Sequence, residues 1–121
     1  MEFSEMAARA VRVRERYAAY EVARYGRAWT AQEVALGLVG DVGDLMKLVQ
    51  ARSGVRDIPE AEAKLAHELA DCLWSVMVLA QMHGVDLEAA FGRTTDELEA
   101  QLAQALGADQ NQDSSAKTAS E

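Results

Sequence analysis

The sequence predicts an all-α protein, an antiparallel helical bundle of about four helices. Three observations lead there. Apolar residues recur at spacings of three and four in four separate stretches, which is the period of a helix face. Those stretches are divided by glycines suited to ending helices and by Thr, Pro and Asp residues suited to starting them. No alternating strand pattern, internal repeat or second domain intervenes.

The first helix is predicted over residues 4 to 25, where Met6, Ala10, Val13, Tyr17 and Tyr20 share a face, and Gly26 is its stop. Thr30-Ala31-Gln32-Glu33 then has the form of a capping box, in which hydroxyl and carboxylate each satisfy a backbone N–H of the other residue. A second helix starts there and runs to about Arg52, with Val34, Leu38, Val42, Leu45, Met46 and Val49 on one arc. It contains Gly37, Gly40 and Gly43, each costing about 1 kcal/mol relative to Ala in a helix interior. Three such penalties would suit a loop, but the apolar period continues across them. We read a helix whose glycines admit a close neighbour, either backbone or ligand.

Ser53-Gly54 ends the second helix, and Asp57-Ile58-Pro59-Glu60 opens the third with the sequence's single proline near its first turn. The short connection makes the two helices antiparallel neighbours. Over Leu65 to Met82 the third helix is apolar around most of its circumference, with Leu69, Cys72, Leu73, Val76, Leu79 and Ala80 on one broad arc. Such a helix is predicted to be buried. His83-Gly84 closes it, Gly84 suiting a left-handed cap. Asp86 caps a fourth helix whose Leu87, Ala90, Phe91, Leu98, Leu102 and Leu106 form the expected buried face. From Gly107 the apolar period stops, so residues 1–106 are expected to form one helical domain and 107–121 a disordered tail.

A chain of 121 residues, half of them hydrophobic, is large enough for one core without covalent staples. Its only cysteine, Cys72, lies on the apolar arc of the third helix, so no disulfide forms within the chain. With no apolar signal core and no apolar run of 18 residues, the expectation is a cytoplasmic protein with no membrane partner. The net charge of −8 is uneven: the first 30 residues hold six Arg against four Glu, and the remainder is strongly acidic. General binding of a nucleic acid polymer is thereby disfavoured. The arginines of the first segment, Arg27 among them, remain suited to phosphates of a small ligand.

Function concentrates on two acid pairs. Glu68, Asp71 and Ser75 form a polar stripe on the otherwise apolar third helix, and Asp41 and Asp44 stand three apart beside the glycines of the second. Four carboxylates converging between antiparallel helices carry a formal charge of −4 and require cations. Hard divalent ions with oxygen ligands are the natural occupants. Mg²⁺ keeps waters and bridges phosphate oxygens, so a nucleotide is a reasonable third component. A di-iron centre would need a Glu-x-x-His motif, but the residue three after Glu68 is Asp71. His67 and His83 read as rim and helix-end residues.

At these residues a resemblance appears. GLVGDVGDLMKLV followed by HELADCLWSVMVLAQMHGVDLEAAF resembles the MazG-like, all-α nucleoside triphosphate pyrophosphohydrolases, whose signature is E-x-x-E on one helix and E-x-x-D on the next. The similarity covers roughly residues 30 to 100. The resemblance implies an oligomeric helical bundle, a homodimer or homotetramer, that hydrolyses NTPs or dNTPs to the monophosphate and pyrophosphate with Mg²⁺, Mn²⁺ being an alternative ion. It implies metal ligands at Asp41, Asp44, Glu68 and Asp71. Of these, Asp41 or Asp44 is the expected proton acceptor for an attacking water. Trp29 and Tyr25 are the candidates to stack on the base, with Arg27, Ser75 and Arg93 as further substrate contacts.

The chain departs from the family pattern at several places. Asp stands for Glu at both positions of the first pair, shortening each side chain by about 1.5 Å, one C–C bond. The fourth helix reads GRTTDELEAQ where many relatives carry Lys, Asn and Arg, leaving Arg93 as its basic group, and Ser75 stands where Tyr is common. The expectation is therefore a Mg²⁺-dependent NTP or dNTP pyrophosphohydrolase, possible house-cleaning of non-standard nucleotides included. The alternative is a catalytically degenerate module of the same descent that binds a nucleotide or a protein partner.

Overall fold

The computed structural model describes residues 1–119, with side chains described through Lys117. Four helices follow in order: α1, Phe3–Tyr25; α2, Ala31–Arg52; α3, Ala61–Met82; α4, Leu87–Ala119. The described residues contain no strand, and none of their helices is long and apolar enough to cross a membrane. The all-α class is as the periodicity predicts.

Local chemistry sets most of the boundaries. α1 ends where Gly26 takes a left-handed φ of 85°. The capping box of α2 is complete: Glu33 N–H donates to Thr30 Oγ1 at 3.3 Å, and Thr30 N–H donates to Glu33 Oε1 at 3.3 Å. The end of α3 also follows the sequence reading. Gly84 is left-handed, its N–H donates to Gln81 O, and Val85 N–H donates to Ala80 O at 2.8 Å, the two bonds of a Schellman motif. At the start of α3 the backbone differs from expectation, because Pro59 stays outside the helix and Glu60 is the N-cap with a left-handed φ of 57°. Asp86 Oδ1 accepts from Ala89 N–H at 3.1 Å and caps α4.

The chain divides into two compact units, Met1–Val85 and Asp86–Glu121. In the first, α3 packs mainly on α2 and secondarily on α1. The pairing of α2 with α3 is antiparallel: Arg52 near the end of α2 lies 3.3 Å from Glu62 near the start of α3, while Asp41 and Asp44 approach Glu68 farther along. The core of this unit is small, comprising Ala10, Val34, Leu48, Met77 and Val78.

Two burial expectations are corrected. α3 is not covered all round: Ser75, Met77 and Val78 are buried, whereas Leu69, Leu73 and Val76 are exposed. On α2, Val42, Met46 and Val49 of the predicted apolar arc are likewise exposed. A helix with two packing neighbours cannot have its whole circumference covered by them. In the second unit α4 continues through Gly107 to Ala119, where the sequence predicts disorder from residue 107. One Gly costs about 1 kcal/mol, and the Ala, Gln and Lys that follow, with no proline, are compatible with helix. The expected buried face of α4 is open, Phe91 being 68 % exposed and Leu98, Leu102 and Leu106 similarly so.

Candidate functional site

The antiparallel pairing brings the two acid motifs together. One carboxylate oxygen from each of Asp41, Asp44 and Glu68 lies within 4.8 Å of the others, and Glu68 also groups with Asp71 and His67 within the same limit. Glu68 is thus shared by both groups. Their mutual repulsion is visible in proton affinity: the Glu68 carboxyl is pushed up by burial first and then by the charges of Asp41, Asp71 and Asp44. Asp41 is pushed up for the same reasons, burial first, then Asp71 and Asp44. The adjacent Cys72 thiol is also raised, chiefly by burial.

These residues fit a divalent cation. Glu68 Oε2 is buried without a hydrogen-bond partner, an acceptor left open on the side chain common to both groups. The donors are carboxylate oxygens, the ligands that hard cations take, and oxygens sharing one Mg²⁺ stand roughly 3 to 4.2 Å apart at bond lengths near 2.1 Å. A spread of 4.8 Å needs only small side-chain adjustments to close. The shorter Asp41 and Asp44 therefore still reach the cluster. Close approach at Gly40 and Gly43 is not the reason, since a Cβ at either would meet nothing within 4 Å.

Beside Asp41 and Asp71 opens a chamber of about 530 Å³. Its walls are aromatic: Tyr17, Tyr20 and Tyr25 of α1, Trp29 of the α1–α2 connection and Trp74 of α3, with Ser75, Gly37 and the pair Arg14–Glu21 completing it. A Cβ at Gly37 would stand 3.9 Å from the Trp29 ring, an ordinary van der Waals contact, so the space there does not require glycine. On the other side of the acids, Asp44, Glu68 and His67 border a shallower cleft of about 390 Å³ that also contains Lys47 and Lys64. The acids thus border two cavities, one walled by aromatic rings and one containing two ammonium groups.

A family model described as the MazG nucleotide pyrophosphohydrolase domain matches residues 29–101. The chain belongs to this family. Among curated proteins and solved structures, none matches it. In this MazG domain the matched stretch takes in both acid pairs and begins at Trp29, so the α1 walls of the chamber lie ahead of it.

The sequence-selected residues of the MazG domain separate into three groups. Asp41, Asp44, Glu68 and Asp71 meet in the cluster. Tyr25, Trp29 and Ser75 line the chamber, Ser75 being buried. Arg27 does neither: its guanidinium pairs with Glu33, which that contact and the Thr30 backbone hold down to about 2. Arg93 is on α4, in the second unit. Three features escaped the sequence reading. His67 reads in the sequence as a rim residue and not as a partner of the acids, yet its Nε2 is 3.3 Å from Asp71 Oδ2, one turn away. That i, i+4 relation was available in the sequence. Lys47 was open to the same periodicity, whereas Lys64 already reads in the sequence as the nearby counter-charge of Glu68 and Asp71. Arg14 and Glu21, seven apart among other solvated charges, gave no signal.

Proposed function

We propose that this MazG-family protein is a Mg²⁺-dependent NTP or dNTP pyrophosphohydrolase releasing the nucleoside monophosphate and pyrophosphate, with Mn²⁺ as an alternative ion. The observation that carries the reading is the meeting of four carboxylates around Glu68 beside an aromatic chamber. A divalent cation bound there supplies neutralisation of the phosphate oxygens and acidification of water.

The chain's own residues do the rest. Asp41, Asp44, Glu68 and Asp71 would hold the ion, which would supply positive charge for the triphosphate. Tyr25 and Trp29 offer flat apolar faces to the base, and a chamber of this size lies within the 300–1,000 Å³ range typical of small-molecule sites. Ser75 offers a hydroxyl at the chamber wall. Lys47 and Lys64, which border a cleft with Asp44 and Glu68, would pair with the β- and γ-phosphates. Water adds to the α-phosphorus, and the bond from that phosphorus to the α–β bridging oxygen breaks. Asp41 or Asp44 takes the proton of the water, and pyrophosphate departs with the bridging oxygen. Arg27 and Arg93 remain candidate substrate contacts, Arg27 only after exchanging Glu33 for phosphate.

Homo-oligomerisation, as a dimer or tetramer, is part of the proposal. It is supported by the apolar residues left open on α2, α3 and α4. A cytoplasmic setting is compatible with the single, unpaired Cys72. The test is pyrophosphate release by the purified protein from a panel of common and damaged nucleotides with Mg²⁺ or Mn²⁺. Turnover of one or more nucleotides that is lost in Glu68→Gln supports the hydrolase. Saturable nucleotide binding without turnover would instead make the protein a degenerate binding module.

A further inference from the structure

Trp29 forms one wall of the aromatic chamber, yet it sits on the connection between α1 and α2, where a backbone is ordinarily freest. Its position is set from α1. Glu21 Oε1 accepts the Trp29 backbone N–H at 2.7 Å, and Arg14 Nη2 donates to the Trp29 carbonyl oxygen at 3.2 Å. The two side chains are joined by parallel bonds of 2.9 Å, Arg14 Nη1 to Glu21 Oε2 and Arg14 Nη2 to Glu21 Oε1. Both residues are buried, at 8 % and 5 % exposure.

We propose that Arg14 and Glu21 are positioning residues for substrate selection, a buried clamp that grips both polar backbone groups of Trp29 and holds its indole as a fixed wall for a planar base. This rests on the nucleotide hydrolase reading. A buried ion pair is weak grounds for stability alone, because an apolar pair of similar volume often serves as well. What an apolar pair cannot do is take an N–H and a C=O of the connection at once. Carboxylate and guanidinium supply the acceptor and the donor for that, and their bond to each other fixes the spacing between them. The clamp's hydrogen bonds go to the Trp29 backbone and not to the acid cluster, so its effect falls on base binding.

The test compares wild type, Glu21→Gln and the charge-swapped double variant Arg14→Glu/Glu21→Arg. The swap retains an ion pair but reverses donor and acceptor, so Trp29 loses both contacts. For Glu21→Gln, KM for the best nucleotide rises roughly tenfold with kcat within about twofold, the mark of lost uniform binding. In the swapped variant the melting temperature recovers relative to Glu21→Gln while KM stays high. Unchanged KM in Glu21→Gln, or a swap that restores KM, overturns the proposal while leaving the hydrolase reading intact. Fluorescence anisotropy of Trp29 in a Trp74→Phe background tests the clamp without turnover and serves if the swapped chain does not fold. Anisotropy falls on adding Glu21→Gln if the clamp holds the indole, and an unchanged value overturns it. A wild-type protein that turns over no nucleotide defeats the hydrolase reading, and the selection role with it, whatever the anisotropy.

Discussion

The indole N–H of Trp74 on α3 donates to the carbonyl oxygen of Ala10 on α1 at 3.2 Å. The same ring meets Tyr17 at a centroid distance of 5.8 Å with the planes tilted by 58°. α1 is thus tied to α3 by one directional bond and one aromatic contact, and the chamber lies where the two helices and the Trp29 connection meet. Docking of α1 is what sets an aromatic chamber beside the acid cluster.

Trp74→Phe should lower stability by about 1 kcal/mol from the lost hydrogen bond, with a further loss from packing. In a domain of this size that is a fall of about 4–8 °C per kcal/mol in melting temperature. Calorimetry checks it, and an unchanged melting temperature would show that the tie contributes nothing.

Removing one member of the Arg14–Glu21 pair should be worse than removing both. Arg14→Ala or Glu21→Ala strands a buried charge, at a cost of roughly 3–5 kcal/mol, whereas Arg14→Met/Glu21→Leu should cost much less. The pH dependence has a definite sign. The hydrogen bond from Arg14 holds Glu21 below its ordinary value against the opposing effect of burial. Its contribution is therefore present in full above the unfolded value of about 4.5 and is lost as pH falls through the lower folded value. Urea titrations from pH 7 to 3 should show the gap between wild type and Glu21→Ala narrowing below that point.

Glu68 carries the opposite sign. Burial and three neighbouring carboxylates raise its folded value above the unfolded one, so its ionised form costs stability at neutral pH and ceases to do so once pH falls below the unfolded value. Glu68→Gln should raise the melting temperature of the metal-free protein at pH 7 and lose that advantage in acid. Mg²⁺ should stabilise wild type in a saturable way and the variant hardly at all. Chelation with EDTA should abolish turnover and return wild type to its lower melting temperature.

Leu36, at 71 % exposure, and Val39 continue an open apolar face along α2. Leu36→Glu/Val39→Glu should leave the helix intact and shift a homodimer or homotetramer toward monomer in sedimentation equilibrium. A wild-type chain that sediments as a monomer at all concentrations would refute the assembly.

The helices and their ends were legible locally. Thr30 with Glu33, Gly26, Gly84 and Asp86 act within a turn of their own positions, and hydrogen bonding at that range needs no knowledge of the rest of the chain. The i, i+3 acid pairs were readable for the same reason, and antiparallel pairing across a short connection made their meeting expected. The helical run past Gly107 was not legible in this way, because loss of apolar period speaks of packing, whereas a helix needs only its backbone bonds and tolerant residues to continue.

By itself, then, the sequence determined four helices, the caps that end them, and two acid pairs in register to meet. Tertiary structure decided which apolar residues are covered, that His67 leans on Asp71, and that Arg14 and Glu21 close on Trp29. Periodicity is a property of one helix, whereas burial and the clamp depend on which neighbour arrives and how far a long side chain reaches toward it.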